Sequence, residues 1–221
     1  MKNYIIRQAV KKSSHAHILA ANIDLAMLIV TETFPKTSLG FIDRFLVTAE
    51  SFRIPQALIF NKTDLLDTQQ IVGLQQKIKL YESIGVTCIQ TSAIKKEGIE
   101  DLRSIFNDKI TLISGHSGVG KSTLINLIAP KINQKTGEIS NFAGKGVHTT
   151  TFAEMFKIAD NTLIIDTPGI KELGLIEIEN DELSDYFPEM RALSQDCKFN
   201  NCLHLDEPDC EVKLGLEDGR I

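Results

Sequence analysis

Tryptophan is absent from this 221-residue chain, and aromatic residues make up only 6% of it. Its core must therefore be mostly aliphatic. A hydrophobic content of 43% is enough for one, which excludes wholesale disorder. No apolar run approaches the ~18 residues that a membrane-spanning helix needs. Lys2 and Arg7 are not followed by a long apolar segment with a small-residue cleavage site, so no signal peptide is expected. The expectation is a cytoplasmic protein without membrane contact. Excess positive charge is missing too. The chain has 24 basic and 29 acidic residues, a net charge of −5, so bulk electrostatic binding of nucleic acid is not indicated. A local basic patch remains open at Lys2, Arg7, Lys11 and Lys12, where a solvated tail is the alternative. Cysteine is scarce, with four in the chain. Cys88 is expected as a buried small hydrophobe in a strand. The other three cluster with a histidine near the C-terminus, which in a reducing compartment points to metal rather than disulfides.

What is present alternates between strand-like and helix-like segments. Short strands are expected at Lys2–Ile6 and Ile18–Ala20. Leu25–Val30 is a continuous apolar run of strand length, as a strand covered on both faces requires. Ser38–Ser51 places Phe41, Ile42, Phe45, Leu46 and Ala49 at helical spacing, with Ser38 as N-cap. Ala57–Phe60 is a second buried strand. Asp67 or Thr68 caps a helix running through Tyr81, with Gly85 just beyond it. Thr87–Gln90 is a strand, Ile99–Phe106 a short helix and Ile110–Ser114 a strand. Lys121–Ile128 is a helix stopped by Pro130. Thr151–Ile158 and Leu163–Ile165 complete the strands. This alternation implies an α/β fold with a doubly wound, mainly parallel sheet. The strand pattern stops near residues 170–181, and a short helical region is expected around Asp181–Leu193.

Gly115-His116-Ser117-Gly118-Val119-Gly120-Lys121-Ser122 matches G-x-x-x-x-G-K-[ST]. It follows a strand and opens a helix, as phosphate binding requires. Glycines let backbone N–H groups wrap the phosphates, and the helix N-terminus adds partial positive charge. Lys121 is placed to reach the β- and γ-phosphates, and the Ser122 hydroxyl to ligate Mg²⁺. Asn61-Lys62-Thr63-Asp64 ends another strand. The Asp64 carboxylate can accept from guanine N1–H and the exocyclic amine together, which adenine cannot offer. Asn61 can bond the other base edge, and the Lys62 stem can cover the ring. Thr91-Ser92-Ala93 follows the next strand, and its small residues allow backbone N–H groups to approach the guanine oxygen. Asp166-Thr167-Pro168-Gly169 also ends a strand. There Asp166 would hold Mg²⁺ through water and the Gly169 N–H would touch the γ-phosphate. Thr149 and Thr150 are candidates for a switch threonine on Mg²⁺. Many GTPases orient the attacking water with a glutamine after Asp-x-x-Gly. Ile170 stands there and cannot polarise water. His148, beside the threonines, is the best polar candidate, with a surface-loop histidine as the alternative.

Cys197-x₄-Cys202-x-His204-x₅-Cys210 supplies three thiolates and one imidazole, a complete tetrahedral Zn²⁺ shell with no open position. The site should be structural. A segment this short has little core, so metal would supply much of its folding energy.

Guanine loop before phosphate loop reverses the usual GTPase order and indicates circular permutation. The whole set, guanine loop, Ser-Ala, phosphate loop, His-Thr-Thr, Asp-Thr-Pro-Gly, then the Cys/His cluster, resembles ribosome small-subunit-dependent GTPase A. Ala20-Ala21-Asn22-Ile23-Asp24 and Gly115 to Thr123 are similar to that family as well. The resemblance implies a slow GTP hydrolase acting late in maturation of the small ribosomal subunit and stimulated by it. GTP, GDP, the subunit and its rRNA would be its partners. It places guanine recognition on Asn61, Lys62 and Asp64, phosphate contacts on Gly115 to Thr123, zinc on Cys197, Cys202, His204 and Cys210, and water orientation on His148. The expected division is residues 1–21 as a remnant or linker after a missing OB-fold, 22–175 as the permuted GTPase domain and 176–221 as a zinc module. A monomer is expected. The rival reading is a guanine-nucleotide-dependent RNA-binding module with negligible turnover.

Overall fold

The computed structural model describes residues 3–8, 16–130, 154–166, 178–179 and 181–221. The chain divides into two compact units, Met1–Gly174 and Leu175–Ile221. In the first, β1 (Tyr4–Gln8) and β2 (Ala16–Ala21) form an antiparallel pair. Asn3 ties this pair to the next strand. Its amide Nδ2 donates to the Ile23 carbonyl at 2.8 Å, and its Oδ1 accepts from the Ile23 N–H at 2.7 Å.

A six-stranded sheet follows, in the order β5-β4-β3-β6-β8-β7. Its members are β3 (Leu25–Val30), β4 (Gln56–Phe60), β5 (Thr87–Gln90), β6 (Ile110–Gly115), β7 (Glu154–Ala159) and β8 (Thr162–Asp166). Every residue of β3 is buried, as its unbroken apolar run requires. Its side chains alternate between two cores. Ala26, Leu28 and Val30 join Phe41, Phe45 and Leu46 of α1 (Leu39–Ser51) and Leu74, Ile78 and Tyr81 of α2 (Thr68–Ser83). Leu25, Met27 and Ile29 join Ile99 and Leu102 of α3 (Ile99–Ser104) and Leu124, Ile125 and Ile128 of α4 (Lys121–Ile128). Two helices on each face make the sheet doubly wound.

Local chemistry sets the boundaries. Asp67 and Gln70 form a reciprocal capping box at the start of α2. Ser38 occupies the N-cap of α1 but makes no side-chain cap bond. Its carbonyl instead accepts from Phe41 and Ile42. Asp24 aligns β6 with β3: its N–H donates to the Ile110 carbonyl at 2.8 Å, and its Oδ2 accepts from the Ile110 N–H at 3.0 Å.

The sheet is mainly parallel, as expected; only its last two strands pair antiparallel, because a tight turn joins them and a parallel pair needs a crossover. One expectation needs correction. Cys88 is half-buried rather than buried, because β5 is an edge strand. Its partial burial still pushes the thiol up to about 12. Of the expected Thr151–Ile158 strand, residues 151–153 lie outside the described residues.

The second unit holds a 3-10 turn (Leu183–Tyr186), α5 (Pro188–Ser194) and α6 (Glu211–Glu217). The helical stretch was expected; α6 was not. Among the described residues, no helix is long and apolar enough to cross a membrane.

Gly98 has φ +69°, and a Cβ there would stand 2.0 Å from the Gln90 carbonyl oxygen. Gly98→Ala should therefore destabilise the first unit by about 2–4 kcal/mol. A thermal melt should show Tm several degrees lower, and an unchanged melt would contradict this packing.

Candidate nucleotide site and metal centre

The C-terminal ends of β3, β4, β6 and β8 open on one edge of the sheet, where α/β proteins bind ligands. The guanine loop leaves β4, the phosphate loop leaves β6, and Asp166 ends β8. Asn61 joins the first two. It is 3% exposed, and its Nδ2 donates to the Val119 carbonyl at 2.8 Å. Its Oδ1 accepts from the Thr91 hydroxyl at 3.1 Å. Sequence reasoning assigned Asn61 to the base edge; here both ends of its amide engage protein. Gly120 (φ +95°) makes the approach possible, since a Cβ there would lie 2.4 Å from Asn61 Nδ2.

Asp64 is also pre-set. The Ser92 hydroxyl donates to its Oδ1 at 2.6 Å, while the Lys95 N–H donates to Ser92 Oγ at 3.1 Å. Thr63 joins the same assembly, its hydroxyl donating to the Thr91 carbonyl at 3.1 Å. Ser92 thus does more than stay small: it aims the carboxylate. Ala93 follows it, half-buried against the second core. Lys62 (φ 63°) turns its side chain towards the β3–α1 loop, where Nζ donates to the Phe34 carbonyl at 2.7 Å. Sequence reasoning missed this loop. Its one signal is Pro35, two residues before the buried Thr37, after a strand end.

At the phosphate end, Lys121 Nζ pairs with Asp166 Oδ1 at 2.5 Å, with the side chains 12% and 14% exposed. The cation and the carboxylate that the sequence assigns to the phosphate end thus occupy one spot. Val119 is fully buried and anchors the loop, while Ser117 and Gly118 are exposed. The His116 ring lies 4.0 Å from that of Phe41 on α1. Burial lowers its pKa, so at neutral pH the ring is an uncharged packing surface. Ser122 and Thr123 sit in the first turn of α4, Ser122 half-buried and Thr123 exposed. His148, Thr149, Thr150, Gly169 and Ile170 lie outside the described residues.

In the second unit, the ligand atoms of Cys197, Cys202, His204 and Cys210 lie within 4.8 Å of one another. Cys197 Sγ is 3.7 Å from His204 Nδ1 and 4.0 Å from Cys210 Sγ, and His204 Nδ1 is 3.4 Å from Cys210 Sγ. A tetrahedral zinc with Zn–S of ~2.3 Å and Zn–N of ~2.0 Å has ligand-to-ligand edges of about 3.5–3.8 Å. The donor set fits that ion in type and number, and the edges among Cys197, His204 and Cys210 lie close to that range. All three thiols are free of disulfides. Burial opposes ionisation of Cys197, but the N–H groups of Val212 and Glu211, together with hydrogen bonds from the Cys210 and Cys202 thiols, outweigh it and hold the thiol below its usual range. The start of α6 thus favours the thiolate that a metal needs. Glu207 braces the loop by accepting from the Leu203 N–H at 2.8 Å and the Leu205 N–H at 2.9 Å.

Comparison with known proteins agrees with this geometry. A family model described as RsgA GTPase matches residues 1–176. The small ribosomal subunit biogenesis GTPase RsgA of Cytophaga hutchinsonii is 52% identical over 219 residues, which cover 99% of this chain and 71% of that protein. Its namesake from Bacteroides fragilis (strain YCH46) is 48% identical over 220 residues, covering 100% of this chain and 71% of the relative. The crystal structure of YjeQ from Thermotoga maritima superposes with a TM-score of 0.78 at 34% identity, over 100% of this chain and 70% of that one. YloQ, described as a circularly permuted GTPase, gives a TM-score of 0.72 at 31% identity, over 99% and 73%. The fold is therefore a circularly permuted P-loop GTPase fold, and the chain belongs to the RsgA GTPase family.

Proposed function

We infer that the chain binds guanine nucleotide and hydrolyses GTP to GDP and phosphate as a late maturation factor of the small ribosomal subunit, in the cytoplasm and as a monomer. One observation carries the nucleotide reading: Asn61 locks the guanine loop to the phosphate loop while Ser92 aims Asp64. The family relationship and the names of the relatives support the ribosomal role and contact with rRNA.

The residues divide the work. Asp64 accepts from the guanine N1–H and amine, with Lys62 covering the ring and Ser92-Ala93 near the base oxygen. Backbone N–H groups from Gly115 to Thr123 hold the phosphates. Lys121 exchanges Asp166 for the β- and γ-phosphate oxygens, which would let the Asp166 carboxylate help hold Mg²⁺. Mg²⁺, when bound with GTP, neutralises charge that develops on the phosphates. Ser122, Thr150 and Asp166 are the residues we assign to hold it. Gly169 senses the γ-phosphate through its N–H. His148 orients the attacking water, the role that Ile170 cannot fill. Residues 22–175 form the GTPase domain and 176–221 the module that Zn²⁺ holds together through Cys197, Cys202, His204 and Cys210.

The decisive experiment is steady-state GTP turnover with and without purified small ribosomal subunits. Stimulated turnover that His148→Ala reduces at least about 100-fold, with GDP affinity intact, is the expected result. Negligible turnover under both conditions, with tight GDP binding, would favour a nucleotide-dependent RNA-binding module.

Asp64→Asn removes a charged acceptor facing two donors. GTP affinity should fall about 100-fold or more, while xanthosine triphosphate, whose C2 oxygen suits the new amide donor, should bind better than GTP. Isothermal titration of both nucleotides checks this.

Cys210→Ser, or removal of zinc by a chelator, should abolish amide-exchange protection across residues 181–217 and leave GDP affinity within about twofold. Retention of full protection without metal would sink the structural-zinc assignment.

A further inference from the structure

The β3–α1 loop, Thr31–Ser38, belongs to none of the nucleotide-binding motifs, yet it touches both halves of the nucleotide site. The Phe34 carbonyl holds Lys62 of the guanine loop. The Pro35 ring lies beside Gly118 of the phosphate loop, its Cδ 3.4 Å from where a Gly118 Cβ would stand. The loop closes on itself. The Thr37 N–H donates to the Thr31 carbonyl at 2.9 Å, and the Thr31 hydroxyl donates to the Pro35 carbonyl. From outside, one ion pair braces it: Lys77 Nζ of α2 meets Glu32 Oε2 at 2.5 Å. Glu32 is 13% exposed and Lys77 28%, so water screens this pair less than it does surface pairs such as Arg103–Glu100.

We propose that the Glu32–Lys77 pair is a strut that sets the β3–α1 loop, and through it Lys62 and Gly118, for guanine nucleotide; both are positioning residues for nucleotide affinity. The proposal rests on the GTPase reading above. The argument is one of preorganisation. The Lys62 stem can lie over a base only if its Nζ has a fixed acceptor, and the Phe34 carbonyl is fixed only while its loop is held. With the strut removed, the loop must be ordered at the moment of binding, which costs affinity. The reacting phosphate keeps its own contacts, so KM should rise while kcat holds. The two partners should not contribute equally. Lys77→Met strands a mostly buried carboxylate, whereas Glu32→Gln leaves a lysine that can reach water and an amide that can still accept from it.

The test is GDP titration of the full chain by calorimetry, paired with subunit-stimulated GTP turnover. Lys77→Met should raise the GDP Kd about tenfold and Glu32→Gln about threefold, while Lys77→Arg stays within about twofold of the parent. KM for GTP should rise in step, with kcat within about twofold. An unchanged Kd in Lys77→Met, an equal loss in Lys77→Arg, or a fall in kcat with KM unmoved would overturn the strut. If Lys77→Met melts below the assay temperature, Glu32→Gln carries the test, since it leaves no buried charge unpaired; a Kd equal to the parent's then overturns the strut. A parent chain that binds no GDP would overturn the GTPase reading itself, whereas equal GDP binding by parent and variants overturns only the strut.

Discussion

Everything the nucleotide site does depends on the bond from Asn61 Nδ2 to the Val119 carbonyl. It joins two loops that lie 58 residues apart in sequence and leave different strands. If one reads a base and the other cradles phosphates, as proposed, the distance between them must match one nucleotide. A buried amide with both ends satisfied is a stiff way to fix it, because any slippage leaves a polar group without a partner in the interior. Gly120 belongs to the same constraint: it is the absence of a side chain there that lets the amide in.

That constraint also explains why permutation is tolerable. The site needs strand ends at one edge of a sheet, in the right spatial order, with cross-loop bonds between them. It does not need them in a given sequence order. Here β6, the strand of the phosphate loop, lies between β3 and β8, with β4 and the guanine loop on the far side of β3. Asp24 aligns β6 with β3 through two bonds to the Ile110 backbone, one from its own N–H and one to its carboxylate, so register is set at the end of the sheet opposite the site. Moving the termini changes which loop the ribosome meets first, not where the loops stand.

Much of this was legible because it is local. Leu25–Val30 and Lys121–Ile128 are marked by apolar content, a glycine-rich start and a proline stop. Asp67 and Gln70 are three residues apart and announce a helix start by themselves. The Cys/His spacing pointed to four ligands that converge, without any fold. What stayed hidden depends on remote contacts. Lys62 has a free choice of acceptor until the Phe34 carbonyl is placed beside it. The Ser92 hydroxyl means nothing until Asp64 arrives. In α6, Val212, Leu214 and Leu216 alternate like a strand. The helix follows instead from Cys210 at its start and from Gly215 lying against Leu193.

The two units solve their stability problem differently. The first buries two mostly aliphatic cores, one on each face of one sheet. In the second, Cys210, Val212 and Gly215 are buried, while Phe199, Leu203, Leu205, Leu214 and Leu216 remain exposed. Such a unit cannot offset its chain entropy by burial alone. Four converging ligands that held an ion would, because the ion's binding energy becomes folding energy. Its surface is then released from core duty. Residues 175–221 use that freedom to carry far more acids than bases, whereas residues 1–174 carry more bases than acids. A polyanion would therefore meet less charge repulsion at the first unit than at the second, where any contact with one would have to rest on shape and placed donors.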